Sequence, residues 1–510
     1  MMRSQTDNTG QDRQTFTLEK ESELRIEVPN YSSSSTQSGS GMCTLRLMSG
    51  SAELFGAELA VDKAYPLTGT KVAVFTWHGC TLEITGKLEI VYVSKETNAN
   101  LSYVNTHAQL EALRDEAMYE ATVREEQNSE TVTEGPRVLL TGPADSGKSS
   151  LARVLTAYAV KLGRSPIFVD LDVSQNALSV PGTISASPMT PDCISVQSYA
   201  SSGGTLLPQT PLDFWYGSTE LSTNPDLYKS QLVQLGQNID SRLKIDPDAN
   251  ASGIIVNTSG WIDGLGYDLL LRAIDALRIN IVLVLGHDRL YSMLTTHYLP
   301  SSNADNPAHA PPKLKIIKLP RSGGAVSRNA EFRRATRNQS IKKYFHGEII
   351  KSNSNNASNP TTVPLSTPLS PLLDNSITTN SSSSVTYVNQ YTPSLLELPF
   401  DRLRLMKLSS VSLSASMLPV SSKQATDPVQ LTPVEFSQKL KHAILAVCHP
   451  TAVFEYEKSG KASDLYLAGV AGFVVVERVN MDREIVSFLA PASGEIPSNI
   501  LLTGDITWME

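Results

Sequence analysis

The octapeptide Gly142-Pro143-Ala144-Asp145-Ser146-Gly147-Lys148-Ser149 constrains this chain more than any other feature, because it fits GxxxxGK[ST]. By residue usage alone the pattern arises in about one 500-residue chain in fifty, so its setting decides its meaning. The apolar run Arg137 to Leu140 precedes it. A helical pattern follows, with Leu151, Val154, Leu155, Tyr158, Ala159 and Leu162 on one face and Gly163 at its end. Strand, glycine loop and helix are what the motif needs to cradle phosphates on backbone N–H groups and a helix N-terminus. In that role Lys148 sets a positive charge among the β- and γ-phosphates, and the Ser149 hydroxyl coordinates Mg²⁺. No NKxD-type guanine motif accompanies the loop, so ATP is the expected nucleotide.

The loop opens a region, 136–346, in which short β-branched runs alternate with helical stretches. The runs are Arg137 to Thr141, Ile167 to Leu171, Ile254 to Asn257, Ile281 to Leu285 and Lys315 to Leu319. That alternation predicts a parallel sheet covered by helices, the α/β architecture of a P-loop kinase domain. Residues 1–100 have a different texture: short alternating segments, among them Leu24 to Val28, Val72 to Trp77 and Leu88 to Val93, punctuated by glycines. They predict a β-sandwich, with a polar, frayed stretch to about residue 14 and an enlarged hairpin loop over 32–41. Residues 101–135 read as a solvated acidic linker helix, eight acids against two arginines between Gln109 and Gly135. Residues 347–389 form a low-complexity insertion; its Ser-, Asn-, Thr- and Pro-rich part, 351–385, is too poor in apolar residues to order itself. A shorter loop insertion is expected over 301–312. Residues 390–510 predict a small mixed α/β domain with a helix from Pro433 to Val447.

Composition narrows the function class. The 510 residues carry a formal charge of −8, which argues against a broadly basic nucleic-acid coat. Yet 321–343, a glycine-hinged segment, holds seven basic residues and one acid, a local charge of +6. Arg328, Arg333 and Arg337 there are candidates for a lid closing over a γ-phosphate, the alternative being a solvated basic helix face. Asp170 and Asp172 end the second core strand, where a carboxylate meets the nucleotide; period-2 spacing puts both on one side and leaves the choice open. Trp261, after another core strand, suits either base stacking or core packing. No apolar run is long enough for a membrane span, and the polar first 30 residues predict no secretory signal. The four dispersed cysteines suggest neither a disulfide framework nor a zinc site.

Other blocks carry a resemblance. Glu21 to Arg25, Ala52 to Gly56, Lys71 to Cys80, Leu171-Asp172-Val173 with Gln175, Val180 to Thr183, Gly260-Trp261 and Leu319 to Gly324 resemble a eukaryotic polynucleotide 5′-hydroxyl kinase family. That family doubles as a subunit of the pre-mRNA cleavage and polyadenylation factor, and the two insertions resemble its fungal-type members. The resemblance implies a β-sandwich, a central P-loop kinase domain and a C-terminal α/β domain. It implies that Glu23 and Lys71 hold the adenine nucleotide beside Asp145, Ser146, Gly147, Lys148, Ser149 and Ser150. It favours Asp172 over Asp170 as the carboxylate that activates an RNA 5′-hydroxyl. It makes Arg328 and Arg333 the lid arginines, with Arg337 in support, and Trp261 the residue that stacks an RNA base. It further implies a nuclear location and a scaffold subunit, within a multi-subunit complex, that docks on the central domain. The expected function is therefore an ATP-binding, Mg²⁺-dependent subunit of mRNA 3′-end processing, the alternative being an active RNA 5′-hydroxyl kinase.

Overall fold

In the computed structural model, the residues described are 2–6, 12–29, 43–127, 134–200, 206, 210–298, 314–347, 349–352, 386–389, 391–410 and 429–509. The insertion at 301–312, the loop at 32–41 and all of 351–385 except residues 351 and 352 lie outside them. Those two residues belong to a short strand, Ile349–Ser352, paired antiparallel with Thr386–Asn389.

The N-terminal region forms two five-stranded antiparallel sheets. One holds, in order, Met2–Thr6, Asp12–Leu18, Cys80–Thr85, Cys43–Gly50 and Ala64–Leu67. The other holds Ile90–Ser94, Ser22–Glu27, Lys71–Thr76, Glu53–Leu54 and Ala57–Glu58. Their inner faces share a core that includes Leu24, Ile26, Leu45, Leu47, Val74 and Leu82. The first residues are not frayed as the sequence suggested: Met2–Thr6 pairs in register with Asp12–Phe16.

The central sheet has seven strands, in the order Leu212–Trp215, Thr183–Pro188, Ile167–Asp170, Ile254–Asn257, Arg137–Thr141, Ile281–Leu285 and Lys315–Leu319. The last five run parallel, and the first two are antiparallel additions. Every residue of the four inner parallel strands is buried, as expected where helices cover both faces. After Arg137–Thr141 the chain crosses to Ile167–Asp170 and leaves a gap that Ile254–Asn257 later fills. The phosphate loop therefore sits at a topological switch point, the usual ligand crevice of open α/β sheets.

The helix predicted as a solvated linker runs from Asn98 to Gln127 and is half buried. Ala99, Tyr103, His107, Leu110, Arg114 and Ala117 recur at helical spacing on one face. Arg114 Nε donates to the Ser252 carbonyl at 2.9 Å, and the Tyr103 hydroxyl donates to the Pro320 carbonyl at 3.1 Å. The helix thus straps the sandwich to the central sheet.

The C-terminal region is a seven-stranded mixed sheet, and here one expectation fails. Pro433 to Val447 is not helical: strand Val429–Pro433 ends there, a 3₁₀ turn spans Gln438–Leu440, and Ala443–Cys448 is a fully buried strand. The helix begins later, at Pro450. This sheet presses so closely on the central domain that a Cβ on Gly504 would come within 2.2 Å of the Gly217 carbonyl. Phe345 stacks on Trp508 with ring centroids 5.6 Å apart, and the Tyr344 hydroxyl accepts from Phe473 N at 3.1 Å. Both residues end the helix Ala330–His346, so the C-terminal sheet anchors one end of the segment that carries the candidate lid arginines.

Candidate active site

One cleft of ≈ 630 Å³ runs between the sandwich and the C-terminal ends of the central strands, within the usual size of a small-molecule site. Its floor is the phosphate loop. Gly147 takes φ +95° and Asp145 φ +59°, turning the backbone so that the helix Lys148–Lys161 starts at Gly147 with no side chain capping it. The first N–H groups of that helix are left to a ligand, which suits an anion. Lys148 is 6 % exposed, and its ammonium donates to the carbonyls of Gly142 at 2.9 Å and Pro143 at 2.8 Å. Burial pulls it down to about 8, against the attraction of Asp172 and Asp145. A buried cation resting on neutral carbonyls, beside a buried Ser146 hydroxyl with no described partner, fits a phosphate chain.

The strand that carries Asp170 stops at that residue, so Asp172 stands on the following loop and the period-2 argument does not apply to it. Asp170 is fully buried; burial, then the charge of Asp172, pushes it up to about 7. Asp172 is half-buried, lines the cleft and accepts from the Ser174 amide at 3.0 Å and hydroxyl at 2.8 Å. Of the two, Asp172 is the one able to meet a substrate.

Arg328 lies in the loop before the lid helix and Arg333 in its first turns. Asp145, expected among the nucleotide contacts, turns its carboxylate to the lid: it accepts from Arg333 Nη2 at 2.7 Å and from the Arg328 amide at 3.0 Å. Both arginines line the cleft; Arg337 does not. Phe332, which sequence reasoning missed, lies between Arg328 and the sandwich. The Arg328 guanidinium sits 5.6 Å from its ring centroid and the Lys71 ammonium 5.5 Å, both within cation–π range.

The sandwich supplies the wall. Glu23 and Lys71 reach it, each already paired, Glu23 with Arg25 at 2.6 Å and Lys71 with Glu27 at 2.7 Å. Arg25, also missed, packs on the lid hinge, where a Cβ on Gly323 would come within 3.0 Å of its guanidinium. The wall continues through Phe55 and Phe75, and Tyr158, Ser149 and Ser150 of the helix that follows the loop complete the other side. At the far end Trp261 is 37 % exposed and lines the cleft with Gln175 and Leu221. Its ring lies so close over Gly266 that a Cβ there would meet it at 2.6 Å. The tryptophan is therefore fixed from behind and open in front, and core packing does not account for it.

No cluster of three His, Cys, Asp or Glu side chains stands at metal-ligating distance among the described residues. Magnesium in nucleotide sites takes much of its shell from phosphates and water. Ser149, with its hydroxyl 3.4 Å from Asn257 Oδ1, suits that role. No helix of the described residues is long and apolar enough to cross a membrane.

A phosphate loop at a sheet switch point, a carboxylate beside its lysine and two arginines lining the same cleft define a P-loop fold of the kinase type. Residues 142–347 match the family described as mRNA cleavage and polyadenylation factor CLP1 P-loop. Residues 17–117 match the N-terminal beta-sandwich domain of polyadenylation factor, and residues 391–510 match pre-mRNA cleavage complex II protein Clp1. The chain is 34 % identical over 495 residues to a CLP1 homolog of Dictyostelium discoideum, covering 97 % of this chain and 89 % of that one. It is 33 % identical over 496 residues to the polyribonucleotide 5′-hydroxyl-kinase Clp1 of Homo sapiens, covering 97 % and 96 %. A solved wild-type Clp1p–Pcf11p complex shares the fold, with a TM-score of 0.71 at 23 % identity over 99 % of both chains. This chain belongs to the Clp1 family, so the family resemblance drawn from its sequence is borne out, whereas the fungal-type likeness of its insertions is not confirmed.

Proposed function

We propose that this protein binds ATP with Mg²⁺ in the cleft and is a nuclear subunit of the machinery that cleaves and polyadenylates pre-mRNA. We infer further that its site performs RNA 5′-hydroxyl phosphorylation. The first part rests on the family, whose matching descriptions name cleavage and polyadenylation. It also draws on two solved structures of similar fold. Both concern Clp1p with Pcf11p, and one of them concerns ATP loss in a point mutant; a scaffold subunit of that kind is the expected partner. The kinase part rests on one observation: loop, Asp172, Arg328, Arg333 and Trp261 line a single cleft.

On this reading the amides of Ser146 to Ser150 and the Lys148 ammonium bind the phosphate chain, while Glu23 and Lys71 receive the adenosine end. Trp261 stacks the terminal base of the RNA and brings its 5′-hydroxyl to Asp172. Asp172 takes the proton from that hydroxyl as its oxygen attacks the γ-phosphorus of ATP, the bond from that phosphorus to the β,γ-bridging oxygen breaks and ADP leaves, the proton transfer contributing about 10²–10⁴ in rate. Arg328 and Arg333 neutralise charge on the transferring group. The Ser149 hydroxyl would hold magnesium, which when bound would supply further neutralisation of charge on the phosphate oxygens.

The deciding assay is incubation of the purified full chain with γ-labelled ATP and either 5′-hydroxyl or 5′-phosphate RNA. Label is expected on the 5′-hydroxyl RNA alone. Nucleotide kept through gel filtration without transfer under any Mg²⁺ condition would remove the kinase part and leave a structural ATP. Failure to bind nucleotide would remove both.

A further inference from the structure

Asp170 has no part in the reading above, yet it is the most heavily bonded carboxylate beside the cleft. Its Oδ1 accepts from the Asp172 amide at 3.0 Å and from Asn257 Nδ2 at 3.0 Å; its Oδ2 accepts from the Ala177 amide at 2.8 Å. Asp170 and Asn257 are partners in the parallel register of their strands, and both are fully buried. Asn257 ends the strand next to that of the phosphate loop. P-loop proteins use an aspartate to complete the metal shell with the loop hydroxyl; the strand end beside Ser149 here carries an amide instead.

In the structure three N–H groups converge on Asp170, the Asn257 NH₂ among them, so the amide oxygen of Asn257 faces the other way. What it faces is the Ser149 hydroxyl, at 3.4 Å, long for a direct O–H···O bond and leaving both oxygens able to serve a third partner. The other two bonds act on the chain that follows Asp170. They hold the backbone at Asp172 and Ala177, which bracket the turn whose Ser174 bonds the Asp172 carboxylate.

We propose that Asp170 is a positioning residue with two arms. One works through Asn257 on the Ser149 side, where a magnesium–nucleotide complex binds; the other works through the 172–177 backbone on the Asp172 side. One buried carboxylate thereby keeps metal and base in a single register. The inference rests on the reading that the cleft holds magnesium–nucleotide, and its Asp172 arm rests as well on the proposed phosphate transfer.

Asp170→Asn preserves volume and replaces one acceptor by a donor. Wherever that NH₂ points, it meets an N–H: those of Asp172 and Asn257, or that of Ala177. Asn257 can relieve the clash only by flipping, which turns its own NH₂ toward Ser149. Asn257→Ala cuts the first arm alone and leaves Asp170 its two backbone donors.

The test titrates Mg²⁺ into the full-length protein with a fluorescent ATP analogue and repeats the binding in excess chelator. Both variants are expected to need about tenfold more Mg²⁺ or above for half-maximal tightening, the range typical of second-shell changes. Affinity without Mg²⁺ should stay within about twofold, and a general loss of packing would not spare it. With saturating Mg²⁺, transfer to 5′-hydroxyl RNA should return toward the wild-type rate in Asn257→Ala and stay depressed in Asp170→Asn. Equal shifts with and without Mg²⁺, or an unchanged Mg²⁺ requirement in Asn257→Ala, would overturn the proposal, and the second result decides even if Asp170→Asn does not fold. A wild-type chain whose nucleotide affinity ignores Mg²⁺ would instead remove the underlying reading.

Discussion

The cleft and the polar network directly behind it are built from similar residues and treat them in opposite ways. In the network, Asn176 donates to the Thr183 carbonyl at 3.0 Å and to the Ser185 hydroxyl at 2.9 Å. Its oxygen accepts from the amides of Leu178 and Ser179 at 2.8 and 3.1 Å. The buried Asp213 carboxylate accepts from the Ser179 and Ser185 hydroxyls. In the cleft, Lys148 rests on carbonyls, the Ser146 hydroxyl has no described partner, and the guanidinium of half-buried Arg328 lies over an aromatic face within the field of Asp145. A buried polar group left short of partners carries a desolvation penalty. Where such groups converge on one concavity, a ligand can make up the deficit. Where they satisfy one another, they fix a shape. On the proposed reading, the difference separates the groups that would meet substrate from those that hold the loop 172–182 in place.

Two substitutions press hardest on the cleft side of that contrast. Arg328→Ala should lower phosphate transfer by about 10³–10⁵, the span of a charge-stabilising arginine. Nucleotide affinity, measured by equilibrium titration, should move only a few-fold, because Lys148 and the loop amides remain. Asp172→Asn comes next, with a loss of about 10²–10⁴ in single-turnover rate and unchanged nucleotide binding. If either variant instead lost nucleotide and rate together, the residue would belong with the supporting network.

How much of this was readable in advance follows the same division. The phosphate loop was legible because its chemistry is local: eight consecutive residues carry the glycines, the lysine and the serine. The inner strands were legible as short β-branched runs, buried on both faces. Ala443–Cys448 was misread as helix because a fully buried strand has no alternation, and a six-residue apolar run fits either period. The better signal lay just beyond it, where Pro450 follows His449, whose ring nitrogen caps the true helix. Within the site, period-2 logic could not separate Asp170 from Asp172, since it assumes a strand that has already ended at Asp170. Phe332, Arg25 and Asn257 carry no motif of their own. Their roles arise from contacts across long stretches of chain, which spacing does not encode.

The network side is tested by pH. Burial pushes Asp213 up to about 6 from an ordinary 3.8, against its two serine hydrogen bonds. The folded chain therefore holds that proton more tightly than the unfolded chain, and stability falls as pH rises from about 4 to about 6. Asp213→Asn removes the titration. Relative to wild type the variant should gain on the order of 1–3 kcal/mol between pH 4 and pH 6, read from denaturant midpoints at each pH. A gap that stays constant over that interval would mean that the serines fully offset the burial of the charge.

An effect of similar size concerns Trp261, where the two kinds of environment meet. Its ring is fixed against Gly266 like a supporting residue and faces the cleft like a binding one. If it stacks a base, Trp261→Ala should weaken single-stranded RNA by about 1–3 kcal/mol, with nucleotide affinity untouched. Trp261→Phe should recover part of that loss, because a smaller aromatic face still stacks. A supporting role makes a different forecast. Truncation would then open a void over Gly266, lower the melting temperature and disturb RNA and nucleotide binding alike, and phenylalanine would restore packing and stability rather than RNA affinity in particular. Fluorescence anisotropy of a short 5′-hydroxyl RNA, run beside thermal melts of the same variants, separates the two because only stacking moves one readout and leaves the other still.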